Sequence, residues 1–228
     1  MDKGVFYGVS VGPGDPMHMT LGAVETIKRC PVIAAPRTKD GRMVALEIAE
    51  KAAKLSDKTI LPLYFSMSHD SNVRREHHSR AVEQVRGYLD SGTDIAMLNL
   101  GDVSIYASYQ YLAESLEKLG YETVMIPGVT SFCASAAALN ISLTEIGRQV
   151  HIIPGGKLDE DVEKLSGTKI WMKSGAALRE LIGRFKEEDR LEGISMVQNC
   201  GMDSQRVYKS LRDADIQNDY FSLVIEKE

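Results

Sequence analysis

Two acidic turns are the first places in this sequence where residue type and spacing suggest chemistry. Each has a Gly-Asp pair in the turn after an apolar stretch: Gly14-Asp15 in VGPGDP and Gly101-Asp102 in LNLGDVSIYAS. A glycine-rich turn between a strand and a helix is where many proteins hold a phosphate. Neither turn has a GxGxxG or GK[ST] pattern, and the two prolines of VGPGDP cannot donate backbone hydrogen bonds. The turns therefore favour a cationic or hydroxyl-rich ligand, although a tight strand-to-helix turn capped by Asp15 fits the first one equally well.

A third stretch, IPGVTSFCASAAALN, combines a turn with a helix of small residues. Pro127-Gly128 predicts the turn, and Thr130 with Ser131 can cap the helix that follows. Small side chains on that helix let a second backbone or a flat ligand come close. Tight helix packing explains the same composition without a ligand, so the stretch by itself leaves both interpretations open.

Strand-like and helix-like segments alternate through most of the chain, which predicts an α/β fold with a mostly parallel sheet. In the helix YASYQYLAESLEKLG, one buried face is expected to contain Tyr109, Leu112, Ala113, Leu116 and Leu119. After Gly120 the predicted helices become shorter, and five strands are expected: ETVMIPG, QVHIIPGG, TKIWMK, EGISMVQNC and YFSLVIE. We therefore predict two α/β domains, residues 1–119 and residues 120–228, the second with a mixed sheet.

Composition and charge narrow the function classes. The chain has 228 residues and a net charge of −5, which does not favour general binding to nucleic acid. Its apolar runs are too short to cross a bilayer, and its N-terminus shows no signal-peptide pattern. Three scattered cysteines without CxxC spacing indicate neither a zinc site nor disulfides. Adjacent His77 and His78 would point about 100° apart on a helix, so no metal site is expected. These features predict a reduced, cytoplasmic protein without a membrane partner.

Four stretches taken in order resemble the tetrapyrrole methylase family: VGPGDP, LGDVSIYAS, IPGVTSFCASAA and VQNCGMDSQRV. They follow one another at that family's spacing and span nearly the whole chain. Within the family, VIAAPRTKDGRMVALEIAE and LGDVSIYASYQYL are most similar to the branch that methylates C-20 of precorrin-2, or of cobalt-factor II, in cobalamin biosynthesis. The resemblance implies two α/β domains with S-adenosylmethionine in a cleft between them, the tetrapyrrole on the side of the N-terminal domain, and a homodimer.

The same resemblance implies which residues contact S-adenosylmethionine. They are Pro13, Leu100, Gly101, Asp102, Ile105, Thr130, Ser131, Met172, Cys200 and Gly201. Met172 also fits an ordinary core position. The sequence departs from the family at Val103, where proline is common after the Gly-Asp pair, so this loop lacks the rigidity that proline gives.

The family implies a reaction in which a ring carbon attacks the sulfonium methyl group and then loses a proton. Asp15 and Tyr106 are the candidates for the base that accepts this proton. Because the substrate carries many carboxylates, Arg37 and Lys39 in PRTKDGR are predicted to bind it, arginine through two parallel hydrogen bonds. A second basic run, NVRREHHSR, fits a solvated helix face as well as a substrate surface.

Other functions stay open from the sequence. A related enzyme could methylate a different ring carbon, or the translation-factor residue that becomes diphthamide, although the net charge of −5 gives little support to a protein acceptor. The missing GxGxxG disfavours a nucleotide-dependent oxidoreductase. The intact turns at Gly101-Asp102 and Thr130-Ser131 disfavour a non-catalytic binding module. A cobalt-containing substrate is slightly preferred because the chain is compact and without insertions.

Overall fold

The computed structural model describes residues 2–66, 68, 70–155, 160–214 and 221–227. Contacts divide the chain into two compact units, Met1–Thr130 and Ser131–Glu228. Both units combine strands with helices, so the predicted α/β class is confirmed. Within the described ranges, every helix is too short or too polar to cross a bilayer.

The first unit is built on a parallel sheet. Its described strands and helices are β1 (Phe6–Ser10), α1 (Leu21–Arg29), β2 (Val32–Arg37), α2 (Val44–Ala52), β3 (Thr59–Tyr64), α3 (Ser71–Leu89), β4 (Ile95–Asn99), α4 (Tyr109–Lys118) and β5 (Thr123–Ile126). The strands lie in the order β3-β2-β4-β1-β5 and all pair in parallel. The carboxyl ends of these strands therefore share one edge of the sheet, where ligands of open α/β sheets bind.

Both faces of this sheet are buried, as expected for parallel strands covered by helices. In β4, Ile95 and Met97 enter one apolar cluster, while Ala96 and Leu98 enter the other. Helices α3 and α4 contribute to the first cluster, and α1 and α2 to the second. The sheet is thus a rigid support for the loops at its carboxyl edge.

The buried face predicted for α4 is confirmed except at its last member. Tyr109, Leu112, Ala113 and Leu116 are buried. Leu119 is 47% exposed, because the helix ends at Lys118 and the chain then turns through Gly120 with a φ of 78°. A left-handed glycine at this place is a common helix ending.

The second unit contains a mixed sheet. Its described elements are α5 (Ser131–Leu139), β6 (Val150–Pro154), α6 (Glu160–Glu163), β7 (Thr168–Met172), α7 (Leu178–Glu187), β8 (Ile194–Gln198), β9 (Arg206–Tyr208) and β10 (Ser222–Glu226). The strand order is β6-β7-β10-β8-β9, with β6 and β7 parallel and the other described pairs antiparallel. The core packs Trp171 edge-on against Phe185, with ring centroids 5.4 Å apart.

The division between the units falls later in the chain than the boundary predicted at Gly120. Strand β5 pairs with β1, with Thr123 opposite Phe6, so it completes the sheet of the first unit. The sequence shows that β5 is a strand, but pairing with a segment more than a hundred residues earlier leaves no local pattern.

Candidate functional site

The two acidic turns lie against each other at the carboxyl edge of the first sheet. The Val11 amide donates to the Asn99 carbonyl over 2.9 Å, which extends the β1–β4 ladder past the last paired strand residues. Gly12 and Gly101 then exchange two backbone hydrogen bonds of 3.2 and 2.8 Å. The structure thereby brings the turn that contains Pro13 beside the turn that contains Leu100 and Gly101.

Ser10 joins these turns to the loop after β5. Its hydroxyl donates to the Ile126 carbonyl over 2.8 Å and accepts the Val103 amide over 2.9 Å. Proline at position 103 could not donate this bond. Where the family commonly has proline, this chain therefore fixes the loop by a hydrogen bond to a buried serine.

Asp102 also connects the loops at this edge of the sheet. Its Oδ1 accepts the Ser104 amide and its Oδ2 accepts the Gly128 amide, over 2.8 and 2.7 Å. Burial by itself raises the pKa of Asp102, but the hydrogen bonds from the Ser104 hydroxyl and from the Gly128 and Ser104 amides outweigh it, and the net pKa lies below its ordinary value. The carboxylate is therefore held ionised by neutral donors.

Gly128 is required by the close approach of these loops. A Cβ atom on Gly128 would lie 2.3 Å from the Ser10 Cβ and 3.1 Å from the Gly101 carbonyl oxygen. The three loops after β1, β4 and β5 therefore form one junction, and we call it the carboxyl-edge junction: residues 10–15, 99–107 and 126–130.

The two candidate bases both lie on this junction. Asp15 is half-buried, and its Oδ1 accepts the Met17 amide over 2.8 Å, which caps a short 3-10 helix. Helix α1 is capped separately by Thr20. Tyr106 is 49% exposed and has a φ of 50°, a left-handed conformation that costs a non-glycine residue about 1 kcal/mol or more.

The charge of the junction agrees with the type of ligand expected from the sequence. Its three segments contain Asp15 and Asp102 and neither lysine nor arginine. Carboxylates without a nearby lysine or arginine fit a positively charged group and do not fit a phosphate. In the described ranges, no group of three His, Cys, Asp or Glu side chains is placed to hold a metal ion.

The predicted contacts of the second unit cluster at ends of its elements. Ser131 begins α5, Met172 ends β7, and Cys200 with Gly201 follows β8. Met172 and Cys200 are buried, and each stands beside a left-handed non-glycine residue, Lys173 or Asn199. Sequence patterns gave no sign of these two backbone conformations.

Ser135 on α5 lies near Cys200. Burial raises the pKa of the Cys200 thiol, and the Ser135 hydroxyl lowers it by less. The Ser135 Oγ is buried and has no hydrogen-bond partner of normal geometry among the described residues. A buried hydroxyl without such a partner is able to hydrogen-bond to a polar group of a ligand at the end of β8.

The predicted substrate residues Arg37 and Lys39 follow β2 at the same edge of the first sheet. Both are exposed. Gly41 lies close to the Arg37 guanidinium, because a Cβ atom there would be 3.3 Å from its Nη2. Their neighbour Arg42 is paired with Glu47 over 2.8 Å. Arg37 and Lys39 therefore remain the candidates for a carboxylate on this loop.

Ser10 and Gly128 are site residues that the sequence did not single out. Gly128 was expected only as a turn residue, and Ser10 only as part of a strand. Both matter through contacts across more than a hundred residues of chain. Their one local signal is a small residue at the point where an apolar strand ends.

Comparison with known proteins agrees over nearly the whole chain. The family model described as Tetrapyrrole (Corrin/Porphyrin) Methylases matches residues 5–215. A probable cobalt-precorrin-2 C(20)-methyltransferase from Methanocaldococcus jannaschii is 33% identical over 97% of this chain and 95% of that protein. A precorrin-2 C(20)-methyltransferase from Sinorhizobium is 26% identical over 97% of this chain and 94% of that protein.

The fold is also found in a solved structure. A uroporphyrin-III C-methyl transferase from Thermus thermophilus, complexed with S-adenyl homocysteine, superposes with a TM-score of 0.68 at 18% identity. The match covers 99% of this chain and 97% of that protein.

Proposed function

The chain belongs to the tetrapyrrole (corrin/porphyrin) methylase family, and from this premise we propose that it methylates C-20 of precorrin-2, or of its cobalt-containing form, in cobalamin biosynthesis. The observation that carries the proposal is the 33% identity, over 97% of this chain, to a relative named for C-20 methylation. The carboxyl-edge junction supports it, because its acidic, phosphate-excluding loops suit a sulfonium.

S-adenosylmethionine, when bound, supplies an electrophilic methyl group. We propose that Pro13, Leu100, Gly101, Asp102, Ile105 and Thr130 of the first unit hold it, together with Ser131, Met172, Cys200 and Gly201 of the second. The task of these residues is to fix the methyl group in line with the ring carbon and to exclude water. Such positioning can lower a barrier by roughly 7–11 kcal/mol.

C-20 must lose its hydrogen after methylation, so the enzyme needs a proton acceptor. Of the two candidates, we propose Asp15 over Tyr106, because a carboxylate is the better proton acceptor of the two side-chain types at neutral pH. Replacing Asp15 by Asn keeps an oxygen that can cap the 3-10 helix and removes the basic group.

We expect Asp15→Asn to lower kcat by about a hundredfold while leaving the affinity for S-adenosylhomocysteine unchanged. Turnover under saturating substrate and titration calorimetry measure the two quantities. Tyr106→Phe serves as the comparison, since it removes the hydroxyl of Tyr106, the other candidate base. An unaltered kcat in Asp15→Asn with a large loss in Tyr106→Phe would move the role to Tyr106.

The preference for a cobalt-containing substrate stays a proposal. It is supported by the name of the relative from Methanocaldococcus jannaschii, whereas the Sinorhizobium relative is named for metal-free precorrin-2. Equal amounts of the two substrates, offered together without oxygen, give two products that differ in mass. We expect the cobalt product to form first; faster formation of the metal-free product would reverse the preference.

A homodimer and a cytoplasmic location also stay proposals that rest on the family. Light scattering on the purified protein measures the first directly. Retention on immobilised S-adenosylhomocysteine, compared with immobilised NAD, separates a methyltransferase from the oxidoreductase considered above.

A further inference from the structure

A row of aromatic and imidazole rings lies beside the carboxyl edge of the first sheet and has no part in the carboxyl-edge junction. His78 on α3 stacks on Tyr111 of α4, with ring centroids 4.8 Å apart and planes 16° from parallel. Phe65, just after β3, lies 5.9 Å from His78 between ring centroids, with the two planes tilted by 57°. A second pair, Tyr64 and His77, meets edge to face at 4.9 Å. We call these five residues the ring row.

The ring row is accessible. Tyr111 is 56% exposed, and the other four rings are half-buried. The face of the exposed Tyr111 ring that does not meet His78 is therefore open to a ligand.

The surroundings of the ring row are positively charged, although the chain as a whole is acidic. The stretch Ser71–Arg80 contains three arginines and one glutamate. Burial lowers the pKa of His78, and the nearby charges of Arg74 and His77 lower it further. These influences favour the neutral form of His78, and since Glu76 pairs with Arg80, the other two arginines give the stretch a net positive charge.

Arg37 lies at the same carboxyl edge, at the end of the neighbouring strand. It stands opposite Tyr64 in the parallel pairing of β2 with β3, which places the two residues side by side at this edge. A flat apolar ring system with carboxylates on its rim matches both parts of this arrangement: rings for its face and an arginine for its rim.

We propose that the ring row, with Arg37 at the same edge of the sheet, is the surface on which the tetrapyrrole lies, and that the exposed ring of Tyr111, supported by His78, forms its stacking face. The inference rests on the proposed function for the class of ligand and adds the residues that recognise it. It also gives the basic run on α3 a role besides that of a solvated helix face.

The test uses uroporphyrin III as the probe, because it is a stable, fluorescent, carboxylate-rich tetrapyrrole. Quenching of its fluorescence gives a dissociation constant for the full chain and its variants. We expect Tyr111→Ala to weaken binding about threefold to tenfold, since one stacked ring is lost. Tyr111→Phe keeps the ring and should bind within about twofold of the wild type. His78→Ala should also weaken binding, because it removes the ring on which Tyr111 stacks.

The test of Arg37 uses a second exposed arginine as its control. Arg37→Ala should weaken probe binding, and the difference from wild type should shrink as salt is raised. Arg179→Ala, an exposed arginine on α7 in the second unit, should leave binding unchanged. In steady state, Tyr111→Ala should raise the KM for the tetrapyrrole and leave the KM for S-adenosylmethionine and kcat unchanged.

Two failures are distinguishable. If Tyr111→Ala, His78→Ala and Arg37→Ala all bind the probe as the wild type does, while the wild type still transfers methyl groups, the inference is overturned and the proposed function stands. If the wild type binds neither the probe nor S-adenosylhomocysteine, the proposed function falls and the inference falls with it.

Discussion

The two units of this chain each bury one charged side chain among the described residues, and they stabilise it in different ways. In the first unit, Asp102 accepts hydrogen bonds from neutral donors on Ser104 and Gly128. In the second, the Lys169 ammonium lies 3.6 Å from Glu226, which also accepts from Arg190. A charge stabilised by dipoles keeps its field available to a ligand, whereas a charge paired with its opposite does not. The difference suggests a binding role for the first and a structural role for the second.

The largest effect is expected from a substitution that separates the packed loops of the carboxyl-edge junction. We expect Gly128→Ala to lower the free energy of unfolding by about 3 kcal/mol, because the new Cβ would lie 2.3 Å from the Ser10 Cβ. Urea unfolding measures the loss. Gly193→Ala, where a Cβ would meet nothing within 4 Å, is the control and should change stability by less than about 0.5 kcal/mol. Equal stability of Gly128→Ala and wild type would show that the loops are not packed as described.

The ion pair of the second unit should give the next largest effect. Lys169→Met leaves Glu226 with Arg190 as its charged partner, and we expect a loss of about 2 to 3 kcal/mol in urea. The double variant Lys169→Met/Glu226→Leu removes both charges and should recover most of the loss. If the double variant is no more stable than the single one, apolar packing of the lysine stem matters more than the ion pair.

Asp102→Asn tests the junction with a smaller change. The amide group must direct N–H donors at either Gly128 or Ser104, so we expect a loss of about 1 to 2 kcal/mol at neutral pH. Since the pKa of Asp102 is lowered in the folded state, its stabilising effect is complete above its unfolded pKa and is lost as the pH falls through the folded value. The gap between wild type and variant should therefore be constant near neutral pH and shrink below about pH 4. A gap that widens in acid would contradict the assignment.

The smallest effects should be stabilising and confined to one unit each. Gly87 in α3 and Gly183 in α7 have space for a Cβ and no positive φ. We expect each Gly→Ala change to add about 0.5 to 1 kcal/mol, because alanine favours the helix. Thermal unfolding followed by calorimetry measures the gain and shows whether each change shifts a separate transition. A loss of stability in either variant would mean that the glycine has a role the structure does not reveal.

The sequence predicted what depends on local pattern. Alternation of strands and helices gave the α/β class, and apolar spacing gave the buried face of α4 as far as Leu116. Strand β9 was not predicted, since it has three residues, Arg206–Tyr208, none of them buried. The membership of β5 was missed because it depends on its pairing with β1.

The candidate site also combines residues that motifs predicted with contacts that only the folded chain shows. Motifs placed Gly101 and Asp102 at the carboxyl edge, where the structure has them. No motif could show that both carboxylate oxygens of Asp102 are engaged within the first unit, or that Ser10 holds the Val103 amide. These contacts need the folded chain. The roles of the predicted residues toward S-adenosylmethionine and the tetrapyrrole stay predictions.

The most direct test of the central claim is the mass of the product made from precorrin-2 that carries deuterium at C-20. The substrate, with and without cobalt, is incubated without oxygen with S-adenosylmethionine whose methyl group is labelled with carbon-13. The account predicts a product with one labelled methyl group and no deuterium, because methylation at C-20 must end with loss of the hydrogen there. A labelled product that keeps its deuterium would place the methyl group on another carbon, and no labelled product from either substrate would contradict the proposed function.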